Sequence, residues 1–179
     1  MLLTGQMIGR RVILGRLGCP VCGKEVTIRD GVTDFTGAPL GGTSSALTAD
    51  AVAAMLGLGG PGGWVALAGS AGGIAAELGP LLTGVRLVAV NPPAAVESGE
   101  TLSVLRSPRL PLKSGSMRGV VIGSDLAGSP AWVEDAGRAV LPGLRVVVEG
   151  PAPSPAPAGV EILASAPACW VGKRVDGGR

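Results

Sequence analysis

The sequence predicts an α/β fold, and three observations carry that prediction. The apolar run Trp64 to Ala68 drives straight into the glycine-rich turn Gly69-Ser-Ala-Gly-Gly73, after which helical spacing begins near Ile74. Strand-like and helix-like segments then alternate as far as Val148, the pattern of a layered α/β sheet. Last, the chain closes on two short β-rich runs, Val160 to Leu163 and Cys169 to Gly172, which suit an antiparallel hairpin.

The elements follow in order. Residues 1–18 mix apolar and basic side chains and read as a strand or a docking arm. Cys19-Pro-Val-Cys22-Gly23 is a tight turn, and Glu25 to Ile28, Arg29-Asp30-Gly31 and Val32 to Phe35 form a hairpin around Asp-Gly. Residues 36–47 are rich in Gly, Ser, Thr and Pro and read as a linker. Thr48 is placed to cap a helix over Ala49 to Leu58. Beyond the glycine turn come a helix to Leu82, a strand Val85 to Val90 ending at Asn91-Pro92-Pro93, and a weaker strand over Leu102 to Leu105. Gly119 to Ile122 is a short buried strand. Ser129 to Val140 is an amphipathic helix with Trp132, Val133, Ala136 and Val140 inward, and Leu144 to Val148 is a further strand. Pro151 to Pro157 holds alternate prolines and is a stiff extended connector.

Composition sets bounds on function. A chain of 179 residues with 46% hydrophobic and 16% charged residues buries a sizeable core, as one main domain with a small appendage. The division reads as an N-terminal arm and hairpin with linker over 1–47 and the α/β domain over 48–179. Phe35, Trp64, Trp132 and Trp170 are the only aromatics, so the core is aliphatic with the tryptophans packed into it. A net charge of +2 gives no case for nucleic acid. The absence of His removes the commonest general base. An odd count of three Cys without a secretory signal points to a reducing cytoplasm. Ala51 to Ala76 carries no charge, yet its glycines and Pro61 break it into helix, turn and strand rather than a membrane span.

The order of these segments resembles a class I S-adenosylmethionine-dependent methyltransferase, over roughly Thr48 to Val175. Gly69 to Gly73 looks like that family's first glycine motif, and Val85 to Asn91 like its second strand. Leu110-Pro-Leu-Lys-Ser-Gly-Ser116 with Gly119 to Ile122 is similar to the stretch leading into its fourth strand. Glu134 to Glu149 resembles its passage of helix, Pro-Gly turn and fifth strand. Cys19-Pro-Val-Cys22 and its hairpin look like the zinc-ribbon lead-in of some members. The resemblance implies a Rossmann-like sheet with helices on both faces. It places the cofactor at Gly69, Ser70, Gly72, Gly73 and Asn91.

The departures gather at that same place. Leu67 stands where the family has an acid in its first strand, and Ala71 replaces the middle glycine. Asn91 replaces the acid that accepts from the ribose hydroxyls, and Arg106 falls near an Asp that contacts adenine. An amide for a carboxylate at position 91 forfeits about 1–2 kcal/mol of charge assistance. The helix that normally follows the fifth strand gives way to the proline connector.

The resulting expectation is a degenerate, non-catalytic methyltransferase-like protein. It would act as a binding or structural subunit of a larger assembly, at a membrane surface if the arm with Arg10, Arg11 and Arg16 docks there. No catalytic residue is assigned, Asp125 being the first to test as a base; Glu134 and Asp135 read as a solvated helix face. The alternative is an active S-adenosylmethionine-dependent methyltransferase using Gly69 to Gly73 and Asn91. Cys19 and Cys22 supply half a zinc site; with Cys169 the only other thiol and no His, they read as vestigial unless two copies share a metal. A small zinc-ribbon adaptor is the third reading.

Overall fold

The computed structural model describes residues 2–9, 11–36 and 44–175. Arg10 and residues 37–43 of the expected linker lie outside them. The chain begins with an antiparallel meander: β1 (Leu2–Ile8), β2 (Arg11–Gly18), β3 (Glu25–Arg29) and β4 (Val32–Asp34). Leu2–Ile8 and Arg11–Gly18 therefore supply an antiparallel strand pair. Asp30 and Gly31 both take positive φ, which gives the tight β3–β4 turn the twist its strands need.

Helix α1 (Ala49–Leu56) opens where Thr48 accepts the Ala51 N–H and closes at Gly57 in the left-handed region. β5 (Trp64–Ala68) follows, then a 3-10 turn over Gly69–Ile74 and α2 (Ala75–Leu81). The helix expected from Ile74 thus begins as a tighter coil five residues earlier, and Pro80 sits in its last turn. The remaining elements are β6 (Arg86–Val90), β7 (Leu102–Arg106), β8 (Met117–Ile122), α3 (Ser124–Ala127), α4 (Pro130–Ala139), β9 (Val140–Glu149), β10 (Val160–Ser165) and β11 (Cys169–Arg174). Val140, expected on the helix, is the first residue of β9 and fully buried there.

Among the described residues, eleven strands join one sheet in the order β1-β2-β3-β4-β7-β6-β5-β8-β9-β11-β10. The centre from β7 to β9 is parallel, and the last strand, β11, inserts antiparallel between β9 and β10. The meander joins the same sheet because β4 pairs in parallel with β7. Buried on both faces, Val65 to Ala68, Leu87 to Val90 and Gly119 to Ile122 read as unbroken apolar runs rather than alternating ones.

Helices cover both faces. On one, α1 and α2 lay Val52, Leu56 and Leu78 over Val65, Leu67, Val121 and Val147. On the other, α4 lays Trp132, Val133 and Ala136 over Ala66, Val120, Ile122 and Val148, with Trp170 filling the far end. Each fully buried Leu or Val here contributes about 1.5–3 kcal/mol, counted against an extended chain.

Three parallel crossovers, residues 91–101, 107–116 and 150–159, contain no helix, although such connections usually use one. Side chains hold the second crossover down. Arg138 donates to the Leu112 carbonyl at 2.8 Å, and Asp135 accepts from Arg109 at 3.0 Å and Arg138 at 3.3 Å. Asp135 is consequently buried, not part of a solvated face, whereas Glu134 beside it is exposed. Arg118 does similar work for the glycine-rich loop before β5. Its guanidinium donates to the carbonyls of Gly59, Gly60, Pro61 and Gly62 over 2.6–3.2 Å.

Candidate functional site

In open α/β sheets a ligand sits outside the carboxyl ends of the strands, where strand order reverses. Here the chain runs from β5 to β6 on one side and returns to β8 on the other, so the reversal lies between β5 and β8. Gly69 and Ser70 leave the first of these strands; Gly123, Ser124 and Asp125 leave the second. The fold therefore brings Gly69, Ser70, Gly72 and Asn91 to one end of the sheet, as the sequence predicts. All four are buried, and Gly73 is exposed.

Three side chains stitch that end together. Asp125 accepts the Ser70 N–H at 2.8 Å, taking a backbone donor at the start of the glycine turn. Asn91, at the end of β6 with φ of 55°, grips Ser107 through both ends of its amide. Its Oδ1 accepts the Ser107 N–H at 2.8 Å, and its Nδ2 donates to the Ser107 carbonyl at 2.7 Å. Glu149, at the end of β9, accepts from Ala46 N–H at 2.7 Å, Ser45 Oγ at 2.9 Å and Ser124 N–H at 3.1 Å.

Packing closes what hydrogen bonding leaves. Gly69 has φ of 63°, and a Cβ there would collide with the Asp125 carboxylate. At Gly72 a Cβ would lie 2.5 Å from Pro92 Cβ, so that glycine serves contact with the β6–β7 crossover. At Gly123 it would strike Ser70 Oγ and come within 2.6 Å of Ala71 N. Leu67 is wholly buried under α1 and α2. Arg106 faces Asp34 at 4.0 Å across the β4–β7 junction.

The positions that the family resemblance assigns to S-adenosylmethionine are braced by the protein's own groups. Asp125 takes the Ser70 N–H, Ser107 takes one amide N–H and one Oδ1 lone pair of Asn91, and Pro92 lies against Gly72. One polar atom stands apart: Ser70 Oγ is buried with no hydrogen-bond partner.

Cys19 and Cys22 lie exposed at the tip between β2 and β3, in a turn closed by Cys19 N–H to the Lys24 carbonyl and Gly23 N–H to the Cys19 carbonyl, each 2.9 Å. Hydrogen bonds from the backbone of Cys22 and Val21 pull the Cys19 thiol below the usual thiol range. Cys169 belongs to β11, seven strand spacings from β3, on the order of 35 Å across the sheet. It does not reach the pair. Among the described residues no group of three or more His, Cys, Asp or Glu is placed to hold a metal. Nor is any helix among them long and apolar enough to cross a membrane.

Gly69, Ser70, Asn91 and Asp125 are all marked by the sequence, and two of the groups that brace this end are not. Ser107 and Glu149 went unnoticed. Glu149 did carry a signal, since a carboxylate directly after the apolar run Val146 to Val148 must find donors once that strand is buried.

No protein-family model and no curated protein matches the chain. Solved structures do. The antibiotic-resistance methyltransferase Kmr aligns with a TM-score of 0.51 and 15% identity, over 77% of this chain and 98% of its own. A Methanococcus maripaludis protein assigned as an S-adenosyl-L-methionine-dependent methyltransferase aligns with a TM-score of 0.51 and 9% identity, over 73% of this chain and 84% of its own. An Anabaena variabilis protein assigned as a methyltransferase from an antibiotic biosynthesis pathway aligns with a TM-score of 0.47 and 17% identity, over 58% of this chain. The chain spans 44% of that last protein's length. This chain has the class I methyltransferase-like fold, an α/β Rossmann-like sheet.

Proposed function

We propose that this methyltransferase-fold chain works without holding S-adenosylmethionine at its glycine turn, as a binding or structural component of a larger assembly. The single observation behind this reading is that the sheet's carboxyl end is closed by its own side chains, Asp125 on Ser70, Asn91 on Ser107 and Glu149 on Ser124. A partner-facing surface is offered by the β1–β2 hairpin, where Leu3, Met7, Ile8 and Leu14 are exposed beside Arg11 and Arg16. That mixture suits a cytoplasmic protein partner or the acidic inner face of a membrane. Isothermal titration with S-adenosylmethionine tests the reading. It expects no saturable binding up to about 1 mM, an affinity no better than roughly −4 kcal/mol. Micromolar binding overturns it.

A second reading is favoured by the unpartnered Ser70 hydroxyl and by the methyltransferase neighbours: an active S-adenosylmethionine-dependent methyltransferase of unassigned substrate. On that reading Asp125 must release the Ser70 N–H, and Asp125→Ala would strengthen cofactor binding. Transfer of labelled methyl groups to a broad substrate panel would establish it.

A further inference from the structure

The crossover from β9 to β10 leaves a cavity of about 600 Å³ between the connector, the start of α4 and Trp170. That size lies within the range of small-molecule sites. It shares Ser124 and Glu149 with the closed end of the sheet, but none of Gly69 to Gly73 and not Asn91 lines it.

The lining is unusual in what it lacks. Five prolines, Pro130, Pro151, Pro153, Pro155 and Pro157, wall it together with Val133 and the indole of Trp170. Proline has no N–H, so these positions offer carbonyl acceptors and apolar rings but no donors. No Lys or Arg lines the cavity, whereas two carboxylates do, those of Glu134 and Glu149. Glu149 is buried and accepts three hydrogen bonds of the about four a carboxylate can take. Glu134 stands exposed at the rim on α4. The walls are also stiff, because proline fixes φ along the connector, so little ordering is needed on binding.

We propose that this cavity binds a small molecule with a compact apolar body and a primary ammonium group. The apolar body lies against the proline rings and Trp170; the ammonium donates toward the two carboxylates, which no cation of the cavity wall neutralises. An anion meets like charge there, and a neutral molecule leaves the acceptors without a charged donor.

The test uses three probes of one shape, cyclohexylmethylammonium, cyclohexylmethanol and cyclohexanecarboxylate, titrated into the full chain while the Trp170 indole N–H resonance is followed. The ammonium should saturate that resonance and bind about tenfold more tightly than the alcohol, with the carboxylate the weakest. Glu134→Gln should lower the ammonium's advantage by about threefold, and Glu134→Lys should abolish it; both changes fall on an exposed helix position and leave folding intact. Equal affinity for ammonium and alcohol, a Trp170 resonance that does not move, or an advantage unchanged by Glu134→Lys would each overturn the assignment.

Discussion

Replacing Asn91 by Asp restores the family's residue type and should damage the protein rather than repair it. Asn91 is 7% exposed and holds Ser107 through one accepted and one donated bond. Asp keeps the shape, the tolerance for positive φ and the accepted bond. It loses the donor, so the Ser107 carbonyl, itself buried, faces a carboxylate oxygen where an N–H had been. An orphaned buried acceptor costs about 1–3 kcal/mol, and the partly desolvated charge adds to it, for a total of about 2–4 kcal/mol near neutral pH. For a chain of this length that is a loss of roughly 6–12 °C in Tm. The sign with pH follows from the same geometry. Facing a carbonyl in a buried place, the carboxyl has its folded-state pKa raised above the unfolded value, since the protonated form can donate to Ser107 again. The penalty is therefore full at high pH and shrinks as pH falls through that raised pKa. Urea denaturation of parent and variant at about pH 7.5 and about pH 4.5 reads both effects. A variant as stable as its parent at the higher pH, or a gap that fails to narrow at the lower one, would refute the brace.

Three further outcomes are expected. Gly123→Ala should destabilise by about 3 kcal/mol or more, because its methyl meets Ser70 and the Ala71 backbone, which moves only with the whole turn; thermal melting measures it. Arg118→Lys should cost about 1–2 kcal/mol and speed hydrogen exchange around residues 57–63, since an ammonium cannot span four carbonyls as the guanidinium does. Alkylation of Cys19, followed by peptide mass spectrometry against pH, should show a midpoint below that of a free model thiol, reflecting the backbone donors of Cys22 and Val21.

The sheet's parallel centre was legible because its strands are buried on both faces and leave unmistakable apolar runs. Trp64 to Ala68 is the clearest, and its bounds match the strand. The insertion of β11 between β9 and β10 was not legible, since side-chain alternation marks a strand without naming its neighbours. The parallel junction of β4 with β7 was hidden for the same reason. At the site, Asn91 and the glycines announced themselves by type and place. Ser107 did not, and the contact of Asp125 with Ser70 did not, because both pairs meet only through the chain's return across the sheet. Asp135 misled for a related reason: helical position alone marks it as solvated, and only Arg109 and Arg138 arriving over it make burial tolerable.

The β4–β7 junction has a consequence in time. The meander is synthesised before its partner, and the strand that completes its inner edge follows roughly seventy residues later, a delay of about 4–14 s at ordinary elongation rates. Through that interval Val32 to Asp34 present an unsatisfied strand edge, and the loop that must close is a long one. The meander is therefore the part most in need of protection during biogenesis, and it is β7 that releases it.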